Sequence, residues 1–318
     1  MPQTIDTDLV IIGAGPGGIT AALYAARQGL NVTLISAEQP GGQMLTTANI
    51  QNYPGFENIS GKELAEKMMT QAKKAGAQLV SGGVVKLAKK GNQLSVITAK
   101  GIIYKAKAVI IATGAKYKKL GIPGEKEFMG RGVSNCTTCD GPFFKGKTVA
   151  VIGGGNTALT SALFLASLAK KVYIIHRREE FRGSATLEQE IKKKGVEAVL
   201  DSVCTEVKGD KIVKSIVVQN LKDKKKTEIP VDGVFINIGI TSTTAVAESI
   251  GVELSEDKSV KVNVNMQTNV PGVFAAGDIT GNIRQIITSC GEGAIAALNA
   301  YKYIRALEGK TVDVIDWN

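Results

Sequence analysis

Two stretches of this chain can be laid over one another without a gap, and that repeat restricts the fold more than any other feature. The first, DTDLVIIGAGPGGITAALYAARQGLNVTLISAE, spans residues 6–38. Leu9 to Ile12 read as a buried strand, and Gly13-x-Gly15-x-x-Gly18, with Pro16 inside it as a further nucleotide contact, turns the chain into an Ala-rich helix. Gly29 sits where a helix C-terminal glycine belongs, and Val32 to Ile35 read as a second strand. The second stretch, KTVAVIGGGNTALTSALFLASLAKKVYIIHRREEFR, spans residues 147–182 and repeats the order with Gly153-x-Gly155-x-x-Ala158 after the strand Val149 to Ile152. At an offset of 140 positions Gly13 falls on Gly153, Gly15 on Gly155, Val32 on Val172 and Ile35 on Ile175. Glycines between a strand and a helix make the tight turn, let backbone approach a pyrophosphate, and allow the helix to pack on the strand. The helix N-terminus then offers unpaired N–H groups to the phosphates. The repeat predicts two dinucleotide-binding units.

The two units differ where the ligand is chosen. The first ends ISAE and the second IHRR, so Glu38 aligns with Arg178. A carboxylate there accepts hydrogen bonds from ribose hydroxyls, whereas guanidinium groups suit a 2′-phosphate. The first unit is therefore expected to take FAD, and the second NADP, with Arg177, Arg178 and Arg182 around the phosphate. The competing reading of HRREEFR is a helix start in which the arginines pair with Glu179 and Glu180. His176 is the one histidine of the chain. It belongs to the second nucleotide unit, where it could touch a phosphate, and it is too close to that motif to serve chemistry elsewhere.

The bulk numbers exclude several classes. The chain has 318 residues, enough for two domains with separate cores. The charge-free run Leu9 to Ala26 reaches the length of a membrane-span candidate, but glycines and Pro16 interrupt it, so a membrane protein is not expected. The start, MPQTIDTDLV, lacks the basic region of a secretory signal. The net charge of +10 is spread over many lysines without interleaved aromatics, which argues against nucleic acid and leaves solvated faces or an acidic partner. Four cysteines in a chain this long do not make a secreted disulfide framework, so a cytoplasmic location is expected.

Two of those cysteines stand three apart in SNCTTCDGPFF, residues 134–144. Such a pair can be half of a zinc site, a structural staple or a redox dithiol. Zinc needs four ligands, and only Cys204, Cys290 and His176 remain, none in a second C-x-x-C; no metal site is expected. A disulfide over three residues closes too small a loop to constrain the unfolded chain much. A redox-active dithiol, Cys136 and Cys139, is left, with Asp140 beside it as the proton carrier in a chain without a histidine to spare. Cys204 and Cys290 read as small buried apolar residues.

Two further stretches suit cofactor contact. AVIIATGA, residues 108–115, is a strand running into the Ala112-Thr113-Gly114 turn. TNVPGVFAAGDI, residues 268–279, ends a buried strand in Gly277-Asp278, and RQIITSCGEGAIAALNAYKYI follows as an amphipathic helix whose N-terminus can face a flavin. An Asp at that strand end can bond a ribityl hydroxyl.

Taken together, IIGAGPGG, GGQM, QNYPG, ATGA, CTTCDG, GGGNTA, HRREEFR, VFAAGDI and RQIITS resemble, over essentially the full length, the low-molecular-weight thioredoxin reductases of bacteria and archaea. The resemblance implies an α/β protein of two Rossmann-like, three-layer domains, the second inserted in the first. The FAD domain would comprise residues 1–115 and 246–318, and the NADPH domain, carrying the dithiol, residues 116–245. It adds Ser36, Ala37, Gly41, Gly42, Gln43, Asn52, Arg284, Gln285 and Ile286 to the FAD contacts, and Asn156, Thr157 and His176 to the NADPH contacts. One FAD per subunit, NADPH as co-substrate, thioredoxin as acceptor, a homodimer and a rotating NADPH domain are further implications. One departure stands out. Where that family usually has a pair of acids after the second glycine loop, this chain has Leu159-Thr160-Ser161. The departure leaves ferredoxin, a reduced deazaflavin or NADH as alternative donors; separately, the same fold and dithiol could serve a glutaredoxin-like protein or a peroxide-reducing partner as acceptor.

Overall fold

The computed structural model describes residues 3–47 and 49–311. The chain forms two compact units, one from Met1–Lys116 with Thr241–Asn318 and one from Tyr117–Ile240.

At the centre of the first unit is a parallel sheet of five strands, in the order Val273–Ala275, Ala108–Ile111, Leu9–Ile12, Val32–Ser36 and Gln78–Ser81. The strand Leu9–Ile12 is apolar at every position because both its faces are covered. Leu9 and Ile11 pack with the helices Pro16–Arg27, Gly61–Lys74 and Ile286–Leu307. Val10 and Ile12 pack with Leu87, Leu94 and Val96, from a mixed sheet of Thr4–Asp6, Ile103–Ala106, Gln93–Thr98 and Val84–Lys90. The side-chain period of two thus divides one strand between two cores. The helix Pro16–Arg27 starts with Pro at its first position, where the missing N–H costs nothing, and Gly29 follows its end at φ +76°.

The second unit repeats the plan. Its parallel sheet runs Val133–Ser134, Gly233–Ile236, Thr148–Ile152, Lys171–Ile175 and Glu197–Val199. Val149 and Val151 face the helices Asn156–Ala166 and Ala185–Lys193, while Ala150 and Ile152 face an antiparallel sheet of Ser202–Gly209, Val213–Asn220 and Lys226–Pro230.

The chain crosses between the units at Lys116/Tyr117 and returns at Ile240/Thr241, whereas the sequence reading places the return after residue 245. Backbone ties account for the difference. Thr243 N donates to Gly114 O at 3.0 Å and Thr113 Oγ1 donates to Thr243 O at 2.7 Å, which fixes this segment on the first unit. Residues 312–318 of the expected 246–318 segment lie outside the described residues. Among the described residues no helix is long and apolar enough to cross a membrane.

Candidate active site: two glycine cradles and a disulfide

In the first unit the three glycines do different work. A Cβ on Gly13 (φ +105°) would lie 2.3 Å from Ala112 O, and one on Gly18 would lie 1.8 Å from Gly13 O, so both are required by packing. A Cβ on Gly15 would meet nothing within 4 Å. No side chain caps the helix that starts there, and Gly42 closes on Gly15 from the other side. The fingerprint therefore leaves one open, donor-lined hollow at a helix N-terminus.

Around it the fold gathers residues from distant parts of the sequence. Gln43 Nε2 donates to Ala115 O at 2.7 Å and to Asp278 Oδ2 at 3.0 Å. Burial raises the Asp278 carboxyl, while Arg284 nearby and a 3.3 Å hydrogen bond from Ser289 Oγ pull it back. Asn52 Nδ2 donates to Oε1 of Gln285, the residue before the helix Ile286–Leu307, at 3.1 Å. Ser36 Oγ donates to Glu38 O at 2.7 Å, and Ala37 and Glu38 are exposed. Among the described residues the Glu38 carboxylate pairs with Lys116 alone, at 3.1 Å, an exposed pair of little strength that a ribose could replace. Arg284 points to Ser259 (3.5 Å) and Asp257 (4.0 Å) and gives Nε to the Asp278 carbonyl at 3.4 Å, so it braces the turn. The open hollow at Gly15, an acid after the second strand and a half-buried Asp together fit the phosphates, ribose and polyol chain of FAD.

Sequence reasoning missed Glu292. It looks like a solvent-facing helix acid but is buried, accepting from Gly277 N (2.7 Å), Thr280 Oγ1 (3.1 Å) and Asn282 Nδ2 (2.9 Å). It thereby locks the turn that carries Asp278.

In the second unit a Cβ on Gly153 would lie 2.3 Å from Asn237 O, whereas one on Gly155 would meet nothing within 4 Å. The hollow is again at the middle glycine, and no side chain caps the helix Asn156–Ala166. Asn237 was also missed; its buried Oδ1 has no partner among the described residues. Asn156 Oδ1 is taken by Ser184 N at 2.8 Å, Thr157 is exposed and Ala158 is buried. His176 is 6% exposed and lies under the loop, with Nδ1 2.2 Å from where a Gly154 Cβ would stand and its ring stacked on Phe181. Burial holds its pKa below the usual histidine value, and Arg178, Arg182 and Arg177 add to that. Those three arginines are exposed, and among the described residues none forms an ion pair with a carboxylate. Glu179 instead pairs with Lys222 at 3.6 Å, residues 177–180 are not helical, and the next helix begins at Ala185 behind the Ser184 cap. The salt-bridged helix start is thus ruled out, and three guanidinium groups stand open beside a glycine cradle. That arrangement fits a 2′-phosphate.

The dithiol lies in the same unit. Cys136 and Cys139 form a disulfide with Cα atoms 5.3 Å apart, at the start of the short helix Thr137–Asp140. Cys139 N donates to Cys136 Sγ at 3.3 Å, so the Cys136 sulfur caps the start of this helix. Burial pushes the Asp140 carboxyl up, and the hydroxyl of Ser134 donates to it. The turn rests on the helix Asn156–Ala166: Thr137 Oγ1 donates to Ser161 Oγ at 2.9 Å, and a Cβ on Gly141 would come within 2.9 Å of Phe164. The residues that stand where acids were expected therefore serve packing, with Leu159 fully buried, Ser161 paired and Thr160 exposed. Cys204 and Cys290 are free and buried, and burial pushes the Cys204 thiol up to about 11.

Residues 7–293 match the family described as pyridine nucleotide-disulphide oxidoreductase. The chain belongs to the pyridine nucleotide-disulphide oxidoreductase family. Among its relatives in that family, a thioredoxin reductase of Listeria innocua is 42% identical over 95% of both chains. One from Bacillus subtilis is 41% identical over 95% of this chain and 96% of its own. The solved thioredoxin reductase of Streptococcus pyogenes superimposes with a TM-score of 0.91 at 40% identity, covering 95% of this chain and 99% of the other.

Proposed function

We propose that the chain is an NADPH-dependent thioredoxin reductase, a cytoplasmic flavoprotein that passes two electrons through the Cys136–Cys139 disulfide to the disulfide of a thioredoxin. The observation that carries this reading is the seating of a redox disulfide, with a half-buried acid beside it, on the helix opened by the second glycine loop. Relatives of this length and similarity bearing the same name support it. Bound FAD supplies the two-electron relay between nicotinamide and disulfide.

The chain's own residues do the rest. Gly15 and the uncapped helix start bind the flavin nucleotide's phosphates, Glu38 its ribose, and Asp278, set by Gln43 and Glu292, its polyol chain. Gly155 takes the pyrophosphate of NADPH and Arg177, Arg178 and Arg182 its 2′-phosphate. The domain limits are those of the two compact units, the first taking FAD and the second NADPH, with the second rotating between half-reactions. Once reduced, the dithiol attacks the partner's disulfide, and Asp140 carries the proton. Phe143 and Phe164, 38% and 37% exposed near the dithiol turn, offer apolar surface to the partner. A homodimer completes the reading. The first unit has an apolar groove of about 450 Å³ lined by residues including Leu23, Tyr24, Tyr53, Met68 and Ile287. A second copy would cover it, and sedimentation tests that.

The reading is tested with purified protein, NADPH and an oxidised thioredoxin. Cys136→Ser and Cys139→Ser should each keep the flavin and abolish thioredoxin reduction. Retained turnover in either variant would remove the dithiol from the electron path.

A further inference from the structure

Ser134 ends the strand Val133–Ser134 and is 5% exposed. Its Oγ has three polar neighbours: Asp140 Oδ2, the N–H of Cys136 at 3.0 Å and the carbonyl O of Cys136 at 3.3 Å. A hydroxyl has one proton and two lone pairs, so these three contacts can be satisfied in two ways. With Asp140 ionised, Ser134 gives its proton to the carboxylate and accepts from Cys136 N. With Asp140 protonated, the acid donates to Ser134 Oγ, which still accepts from Cys136 N and turns its own proton to the Cys136 carbonyl. Neither state leaves a buried donor without an acceptor, and neither needs a heavy atom to move.

We propose that Ser134 is a positioning residue that hydrogen-bonds Asp140 in both of its protonation states, so that the acid can lose and regain a proton beside the dithiol at little reorganisation. This rests on the redox reading of the dithiol given above. The direction of the Asp140 shift agrees, since burial raises it and the Ser134 bond is what opposes the rise. Among the described residues, the elements packed against the dithiol helix and the strand of Ser134 bring no other charge to Asp140. The helix Asn156–Ala166, the strand Gly233–Ile236 and the turn Gly141–Phe144 carry no titratable side chain, which leaves Cys136 and Cys139 once reduced.

The proton account closes. The reduced site starts as one thiolate, one thiol and a protonated Asp140. The thiolate attacks the partner's disulfide, forming a mixed disulfide and expelling a partner thiolate, which takes the Asp140 proton. The carboxylate then removes the proton of the remaining thiol, whose sulfur closes the Cys136–Cys139 bond. The second partner thiolate is expelled and protonated by Asp140. Two electrons and two protons have passed to the partner, and Asp140 ends as the carboxylate.

The test uses the flavin-loaded protein with its dithiol reduced, and follows iodoacetamide alkylation of Cys136 and Cys139 between about pH 5 and 9, where thiol and perturbed carboxyl groups titrate. Asp140→Asn identifies the step that belongs to Asp140. Ser134→Ala should move that step up by about one pH unit, the size of one hydrogen bond to a charged group. Ser134→Thr, which keeps the hydroxyl, should restore it, and Ser134→Ala should change nothing further in the Asp140→Asn background. The proposal is overturned if Ser134→Ala leaves the step in place. It is equally overturned if the alanine and threonine variants behave alike, or if wild type shows no step that depends on Asp140. Because alkylation needs no partner protein, a failure to reduce thioredoxin would contradict the proposed function and leave this result readable.

Discussion

Thr137 Oγ1 donates to Ser161 Oγ over 2.9 Å, and both residues are more than nine-tenths buried. One residue opens the dithiol helix, and the other lies in the helix behind the second glycine loop, so this bond makes the disulfide and the nucleotide cradle parts of one body. Removing either hydroxyl strands the other. Thr137→Val and Ser161→Ala should each cost about 1–2 kcal/mol in denaturant unfolding, and the double variant should cost about 1 kcal/mol less than their sum. Strict additivity would mean that the two hydroxyls do not act on each other.

The glycines of each loop should separate folding from binding. Gly15→Ala adds a Cβ that meets nothing at a φ of −77°, so the protein should fold with nearly unchanged stability and lose flavin on purification. Gly13→Ala and Gly18→Ala drive a Cβ into backbone and should lower soluble yield itself. Flavin absorbance and thermal unfolding, measured together, check this. Gly155→Ala against Gly153→Ala should repeat the contrast, with nucleotide affinity in place of bound flavin.

Thiol counting should find only the dithiol. Cys204, raised to about 11 by burial, and Cys290, raised by the same cause, are neutral and shielded at neutral pH. Native oxidised protein should react slowly with a thiol reagent, reduced protein should gain two fast thiols, and denaturation should expose all four in the chain.

A surface network pins the end of the helix Ile286–Leu307. Glu308 faces Lys107 at 2.7 Å, Arg305 at 2.9 Å and Lys310 at 3.3 Å, and these cations, chiefly Lys107 and then Arg305, hold its carboxyl down at about 2. A depressed folded-state pKa gives stability that is present above the unfolded value and is lost as pH falls through the folded one. Glu308→Gln should therefore lower the melting temperature at pH 7 in low salt, and the gap to wild type should narrow below the usual glutamate range and close near about 2. A gap that persists at the acid end would assign the effect to packing.

The local signals of the sequence survive in the structure wherever chemistry is carried by neighbours in the chain. Gly13, Gly15 and Gly18 stand in a strand–turn–helix, and Cys136 and Cys139 are bonded. Side chains whose role depends on the third dimension were not legible. Glu292 repeats like an exposed helix acid, yet the helix turns it toward Gly277. Ser134 is an unremarked serine until the helix after it brings Asp140 round to its hydroxyl. His176, read as a possible phosphate contact, packs under Gly154, and no periodicity encodes that depth. The loss of acids at Thr160 and Ser161 was visible, but the new partner of Ser161, 24 residues upstream, was not.

The most direct measurement is anaerobic stopped-flow reduction of the flavin by NADPH and NADH side by side, in wild type and in Arg178→Ala, followed by addition of oxidised thioredoxin. NADPH should bleach the flavin band far faster than NADH. Arg178→Ala should weaken NADPH by about tenfold or more, the loss of one charge-assisted phosphate contact, and leave NADH nearly unchanged. The reduced enzyme should then convert thioredoxin disulfide to dithiol. A flavin that stays oxidised with both nucleotides while ferredoxin or a reduced deazaflavin bleaches it would contradict the account.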